Sequence, residues 1–149
     1  FLIKDIFLSD MIFTDSWARQ WAKKLSNNEA YRIAASNWEG DIVLIMTKDS
    51  KLGIIEDLKV YLDLWHGKCL CGRVAIEKDE KDSKYVIVAP SREWKNIFEG
   101  SLDPIMALMR GKLILKKGSL SSLLPYVSAA KELVMSAIEL DTDLAEEWE

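Results

Sequence analysis

Apolar residues recur along this chain in two periods, and the switches between the periods mark out its elements. From Thr14 to Leu25, Trp17, Trp21 and Leu25 fall at i, i+4 and i+8 with Arg19, Lys23 and Lys24 between them. That is the spacing of a helix that buries one face, and Thr14 or Asp15 can cap it. Ser26-Asn27-Asn28 interrupts the pattern, and EAYRIAAS restarts a shorter helix with Tyr31, Ala34 and Ala35 turned inward. Gly40-Asp41 then opens IVLIM, a run of apolar and mostly β-branched residues expected to form a strand buried on both faces near the centre of a sheet.

The period next drops to two. Leu58, Val60, Leu62 and Leu64 share one face of a second strand and Lys59, Tyr61, Asp63 and Trp65 the other. His66-Gly67-Lys68 supplies a turn, after which CLCGRVAIE returns as a third strand with Leu70, Gly72, Val74 and Ile76 on one face. The run EKDEKDSK (77–84) alternates charge without an apolar period and reads as a solvated loop, dispensable for any ligand. YVIVAP makes a fourth strand. Ser91 is expected to cap a helix carrying Trp94, Ile97 and Phe98 on one face, framed by Pro90 and Gly100.

The segment SLDPIMALMRGKLILKK (101–117) is the most strongly punctuated. Asp103 can cap a helix whose first residue is Pro104, where a missing N–H costs nothing, and Gly111 can end it in the left-handed conformation. Ile105, Leu108 and Met109 then share an inward face, and Leu113 and Leu115 alternate in a fifth strand. After Pro125, Tyr126, Val127, Ala130, Leu133, Val134, Ala137 and Ile138 form the stripe of a long last helix. The chain divides into an N-terminal extension (1–13), one domain (14–140) and an acidic tail (141–149), read as a frayed end.

Three stretches carry a family resemblance. GSLDPIMALMRGKLILKKGSL, NWEGDIVLIM (Asn37 to Met46) and VYLDLWHGKC (Val60 to Cys69) together resemble, in the right order, the sterol carrier protein type 2 family in its prokaryotic branch, over roughly residues 14 to 140. The resemblance implies an α+β fold, with a five-stranded, mainly antiparallel sheet covered by helices on one face and a nonpolar cavity holding a lipid between them. It brings no catalytic residues and no cofactor. Transferred to the faces read above, the cavity would be lined by Leu62 and Leu64 from the sheet, Ile105, Leu108 and Met109 from the short helix, and Leu133 and Val134 from the last helix. The alternative is a protein-interaction module that docks a partner or a second copy of the chain, as a homodimer, through its last helix or a sheet edge.

Composition narrows the chemistry. The chain has 149 residues, 49% of them hydrophobic and 30% charged, enough for a single buried core. Its net charge of −4, from 20 basic and 24 acidic residues, offers no stripe for phosphate backbones, so nucleic acid is not expected as a partner. The apolar start FLIKDIFLSDMIF is interrupted by Asp5 and Asp10 and is too short to span a bilayer. Neither a signal peptide nor stable membrane insertion is expected. Cys69 and Cys71 would lie on one strand face at a spacing unsuited to an unstrained disulfide, which fits a reducing, cytoplasmic setting.

His66 with Cys69 and Cys71 could offer three metal donors, but a fourth is lacking and a turn residue explains the histidine, so no metal is expected. A Cys-His nucleophile would need an orienting group and an oxyanion site that the sequence does not mark. The dinucleotide, P-loop and nucleophile-elbow patterns do not occur. No catalysis is expected. Met106, Met109 and Met135 are expected in the cavity wall, where unbranched thioethers adapt to ligands of varying shape. A lipid-sized hole of about 300 Å³ would cost about 7 kcal/mol if left unfilled, and is therefore expected to be occupied, collapsed or wet.

Overall fold

The computed structural model describes residues 12–148, with side chains through Leu140. Two helices come first, α1 (Asp15–Ser26) and α2 (Glu29–Ala34). The Thr14 side chain accepts from the Trp17 N–H and the Asn28 side chain from the Tyr31 N–H, so each helix begins on its own cap. Residues 1–11 of the expected extension lie outside the described residues. Ile12 and Phe13 are core residues at 5% and 2% exposure, and the Phe13 ring stacks on Trp17 at 5.4 Å.

Five strands follow in the spatial order β3-β2-β1-β4-β5: β1 (Ile42–Met46), β2 (Leu58–Trp65), β3 (Lys68–Val74), β4 (Tyr85–Ala89) and β5 (Ile114–Lys117). The sheet is open and mixed, with β1 and β4 parallel and every other neighbouring pair antiparallel. As its unbroken apolar run requires, β1 lies at the centre and is buried at every residue.

Between β3 and β4 stands α3 (Glu77–Asp82), where a solvated loop was expected. Its stability comes from the sheet rather than from an apolar stripe. The Asp79 carboxylate accepts the Ile76 N–H at 2.8 Å and two N–H groups of Arg73 at 2.5 and 3.0 Å. Glu80 spans the sheet, accepting from Lys59 on β2 at 2.6 Å and from Lys116 on β5 at 3.0 Å. Beneath this polar strap lies a second small core of Val43, Ile45 and Val86. The helices therefore cover both faces, and the expectation of one covered face is corrected: α3's apolar partners belong to the sheet, and its own sequence does not show them.

The Arg73 guanidinium holds the Asp79 carboxyl below the usual carboxylate range. A carboxyl lowered on folding stabilises the native state above its unfolded value of about 3.9, and that stabilisation is lost as the pH falls through the folded value. With solvent screening at this partly exposed rim it amounts to about 1 kcal/mol. Asp79→Asn should thus be less stable than wild type by about that much in urea melts at pH 7, and the gap should be smaller at pH 3. An equal gap at both pH values would refute this account.

Four helical segments complete the fold: α4 (Ser91–Phe98), α5 (Pro104–Met109), α6 (Leu120–Leu123) and the long α7 (Val127–Trp148). The first residue of α4 is Ser91 itself. The cap position is Pro90 and no side chain caps the helix, so the expected Ser91 cap is corrected. The backbone of α7 takes the acidic run after Leu140 into the helix as far as Trp148.

Over β3 lies α1, at a point where only a glycine fits. A Cβ added at Gly72 would collide with the Ala18 carbonyl oxygen and stand 2.8 Å from the Ala22 Cβ. The Val74 N–H, at the end of this outer strand, donates to Asp15 at 2.9 Å, so α1 also covers the sheet edge.

Candidate functional site

Between the inner face of the sheet and α1, α2, α4, α5 and α7 lies a cavity of about 90 Å³. Its floor is Ile42 and Leu44 of β1, Leu64 of β2 and Ile87 of β4. Trp21, Tyr31, Trp38 and Trp94 wall it, and Ile105, Leu108, Leu133 and Val134 close it on the helical side. No lining residue is charged.

The polar atoms in this wall are turned to other tasks. The indole N–H of Trp21 donates to the Leu133 carbonyl at 2.9 Å, that of Trp38 to Gly40 at 2.7 Å and that of Trp94 to Ile45 at 2.9 Å. These bonds tie α1 to α7 and α4 to the central strand, and they leave hydrocarbon ring faces toward the cavity. The Tyr126 hydroxyl donates to the Asn37 carbonyl at 3.1 Å, and the Tyr85 hydroxyl meets Ser122 at 2.8 Å. Both bonds anchor the stretch between β5 and α7 against the sheet end.

Of the lining residues expected from sequence, Leu64, Ile105, Leu108, Leu133 and Val134 are in the wall. Leu62 is fully buried but lies under α1, its Cδ2 3.2 Å from the Cβ position that Gly72 leaves open. Met109 is outside the cavity, 58% exposed. The reason is the way α5 stops. The Lys112 N–H bonds the Ala107 carbonyl at 2.9 Å and the Gly111 N–H that of Leu108 at 3.3 Å, a paired closure with Gly111 left-handed at φ 73°. That closure folds Leu113 inward to 2% exposure and leaves Met106 and Met109 on the opposite side. Met135 also faces outward, so the expectation of a methionine-lined wall is corrected.

These positions predict opposite results for two neighbouring residues. Met109→Asp, on the exposed side, should shift the melting temperature by no more than the equivalent of about 0.5 kcal/mol. Leu108→Asp puts a carboxylate into an uncharged wall and should cost several kcal/mol. Thermal melts of the two variants compare them directly, and a severely destabilised Met109→Asp would show that α5 has been assigned the wrong face.

Sequence reasoning missed Ile42, Leu44, Ile87 and Leu113 as wall residues, and placed Trp21, Tyr31 and Trp94 in the core without assigning them to the cavity. The alternation in β1 and β4 carried a signal only once the inner face was known. On β3 a bulge pairs Asp63 with Cys71 but Leu64 with Cys69, so Leu70 is the extra residue and is 64% exposed. Val74 and Ile76 are exposed as well, leaving Gly72 as the buried member of the expected apolar face.

The same bulge separates the two cysteines. Cys69 pairs with the inward Leu64 and Cys71 with the outward Asp63, contrary to the expectation of a shared face. Both are thiols, and burial pushes Cys69 up to about 12. His66 lies 2.6 Å from Glu39 and stacks on Trp65. Among the described residues no helix is long and apolar enough to cross a membrane.

An apolar chamber between an open sheet and its helices defines a class of small α+β proteins, and the comparisons agree. The SCP-2 sterol transfer family matches residues 18–121, and the chain belongs to that family. A crystal structure of sterol carrier protein 2 is 44% identical, with 86% of this chain and 98% of that chain covered and a TM-score of 0.78. A solution structure of a conserved protein from Thermus thermophilus is also 44% identical, covering 87% of this chain and 89% of that chain at a TM-score of 0.79. The apo sterol carrier protein 2 of Yarrowia lipolytica shares the fold at 20% identity and a TM-score of 0.54, with 88% and 92% of the two chains covered. Among curated proteins none matches the sequence.

Proposed function

We propose that this protein binds a nonpolar lipid between its sheet and helices and carries it through water without altering it. The observation that carries this reading is the cavity wall, which is uncharged and has its indole N–H groups turned away into backbone hydrogen bonds. Removing apolar ligand surface from water supplies about 25 cal/mol per Å². Membership of a sterol transfer family supports the same reading.

The size of the chamber sets the mechanism. Ligand pockets commonly span about 300–1,000 Å³, well above the 90 Å³ here. At about 24 cal/mol per Å³, space of the present size costs about 2 kcal/mol, a tolerable burden for a folded domain. Binding of an acyl chain therefore requires the wall to move apart. The segments suited to this are α5, only 6 residues long, and α6 with the turn after it, since short helices hold by packing more than by their own hydrogen bonds. Ligand affinity is then the apolar burial less the work of separating these helices from α7. Two partly buried thiols are consistent with a cytoplasmic site of action.

Native mass spectrometry of protein purified from cells tests the reading. A complex heavier than the chain by a lipid mass, released on denaturation, is expected. A protein that carries no lipid and takes up none from added long-chain fatty acids or sterols would instead favour an interaction module.

A further inference from the structure

Polar bonds tie the other helical segments around the chamber in place. The Trp21 indole joins α1 to α7, the Asn28 side chain joins α2 to Ser136 of α7, and the Trp94 indole joins α4 to the central strand. Ser122 of α6 meets the Tyr85 hydroxyl of β4. Among the described residues α5 has no such tie, since the hydrogen bonds of residues 103–110 stay within the segment 103–113. Apolar packing alone holds it to the body, with Ile105 at 6% and Ala107 at 0% exposure.

Both ends of this segment are built for movement. Ser101 belongs to the body, because its N–H donates to the Asn96 carbonyl at 3.0 Å. At the far end Gly111 is left-handed at φ 73°, and apart from its chain neighbours no atom lies within 4 Å of where a Cβ would stand. A turn with that much free space absorbs backbone rotation without a clash. Between these points Asp103 is divided. One carboxyl oxygen accepts the Met106 N–H at 2.9 Å, whereas the other, Oδ1, is buried without a hydrogen-bond partner. Its desolvation stays uncompensated for as long as α5 lies against the body.

We propose that α5 is the lid of the chamber, pivoting between Asp103 and Gly111, and that the unpaired oxygen of Asp103 sets how readily it opens. This rests on the lipid-binding reading above and deepens it. Two opposed effects meet in the closed lid. Burial of Ile105 and Leu108 in the chamber wall holds it shut. Return of the Asp103 oxygen to water favours release. The open population follows from the difference between them, so a residue outside the chamber wall governs ligand entry. α6, tied through Ser122, stays in place while α5 turns.

Asp103→Ser tests this, because serine keeps an acceptor for the Met106 N–H and removes the second oxygen. The variant should melt no lower than wild type. Amide exchange at Ala107 and Arg110, whose N–H groups bond within α5, should slow about fivefold or more, the lower end for relieving one unpaired buried group. Uptake of cis-parinaric acid, a fluorescent fatty acid, should slow by a similar factor in stopped flow. Ser122→Ala, which unties α6, should leave the uptake rate unchanged. Exchange in Asp103→Ser as fast as in wild type would overturn the role of Asp103. Slower exchange with unchanged uptake, or faster uptake in Ser122→Ala, would overturn α5 as the lid. A wild-type protein that takes up neither fatty acid nor sterol would overturn the lipid-binding reading and the gating with it, whatever the exchange rates.

Discussion

Trp94→Ala should cost about 3–5 kcal/mol of stability, and a long-chain lipid should restore a large part of that loss. Trp94 is 2% exposed, its ring lies 5.3 Å from Phe13 and 6.0 Å from Phe98, and its N–H holds the Ile45 carbonyl of the central strand. Truncation removes those contacts and enlarges the chamber on the side where a ligand would lie. A ligand that binds only the native state adds about 2.7 kcal/mol at a hundred times its dissociation constant, and an enlarged chamber requires less separation of the helices. The melting temperature of the variant should consequently rise more with palmitate or 1-hexadecanol than that of wild type.

Leu62→Ala is the control, because Leu62 is fully buried outside the cavity. It should lose about 2–5 kcal/mol with no extra rescue by lipid. Equal rescue of both variants would mean that lipid acts on the fold in general and that Trp94 does not line its site.

The second large effect is expected at Gly72. With a Cβ at this position the Ala18 carbonyl of α1 must move, and helix backbone yields far less readily than the end of a side chain. Gly72→Ala should lose stability toward the upper end of the ~1–3 kcal/mol typical of overpacking, and Gly72→Val more. Displacing α1 also loosens the bond from the Val74 N–H to Asp15, so amide exchange at Val74 should quicken. A Gly72→Ala protein with wild-type stability and exchange would show that α1 has room over β3 and that its packing does not depend on the glycine.

Much of the fold was legible because the signals were local. Trp17, Trp21 and Leu25 are buried along α1 as their spacing requires, and IVLIM occupies the centre of the sheet. Asp103 caps the helix that Pro104 opens, its side chain accepting the Met106 N–H at 2.9 Å. Each of these follows from side-chain spacing or from the hydrogen-bonding needs of a few adjacent residues, which a linear sequence records directly. The family resemblance rested on the same punctuated stretches, and residues 18–121 place the chain in that family.

The rest depended on partners distant in sequence. EKDEKD becomes a helix because Arg73, Lys59 and Lys116 surround it, and none of these is visible in its own period. Leu70 leaves the buried face because a single bulge inverts every position beyond it, and nothing in CLCGRV marks where the extra residue falls. On α5, apolar residues stand at nearly every position, so composition could not choose between Met109 and its neighbours. The closure at Gly111 chose by bringing Leu113 in. By itself the sequence determined most of the helices and all five strands, the helix at 77–82 excepted, and to which family the chain belongs. Only the tertiary structure decided which apolar side chains face the chamber, because that choice rests on register and helix ends, where a shift of one residue turns a side chain from one face to the other.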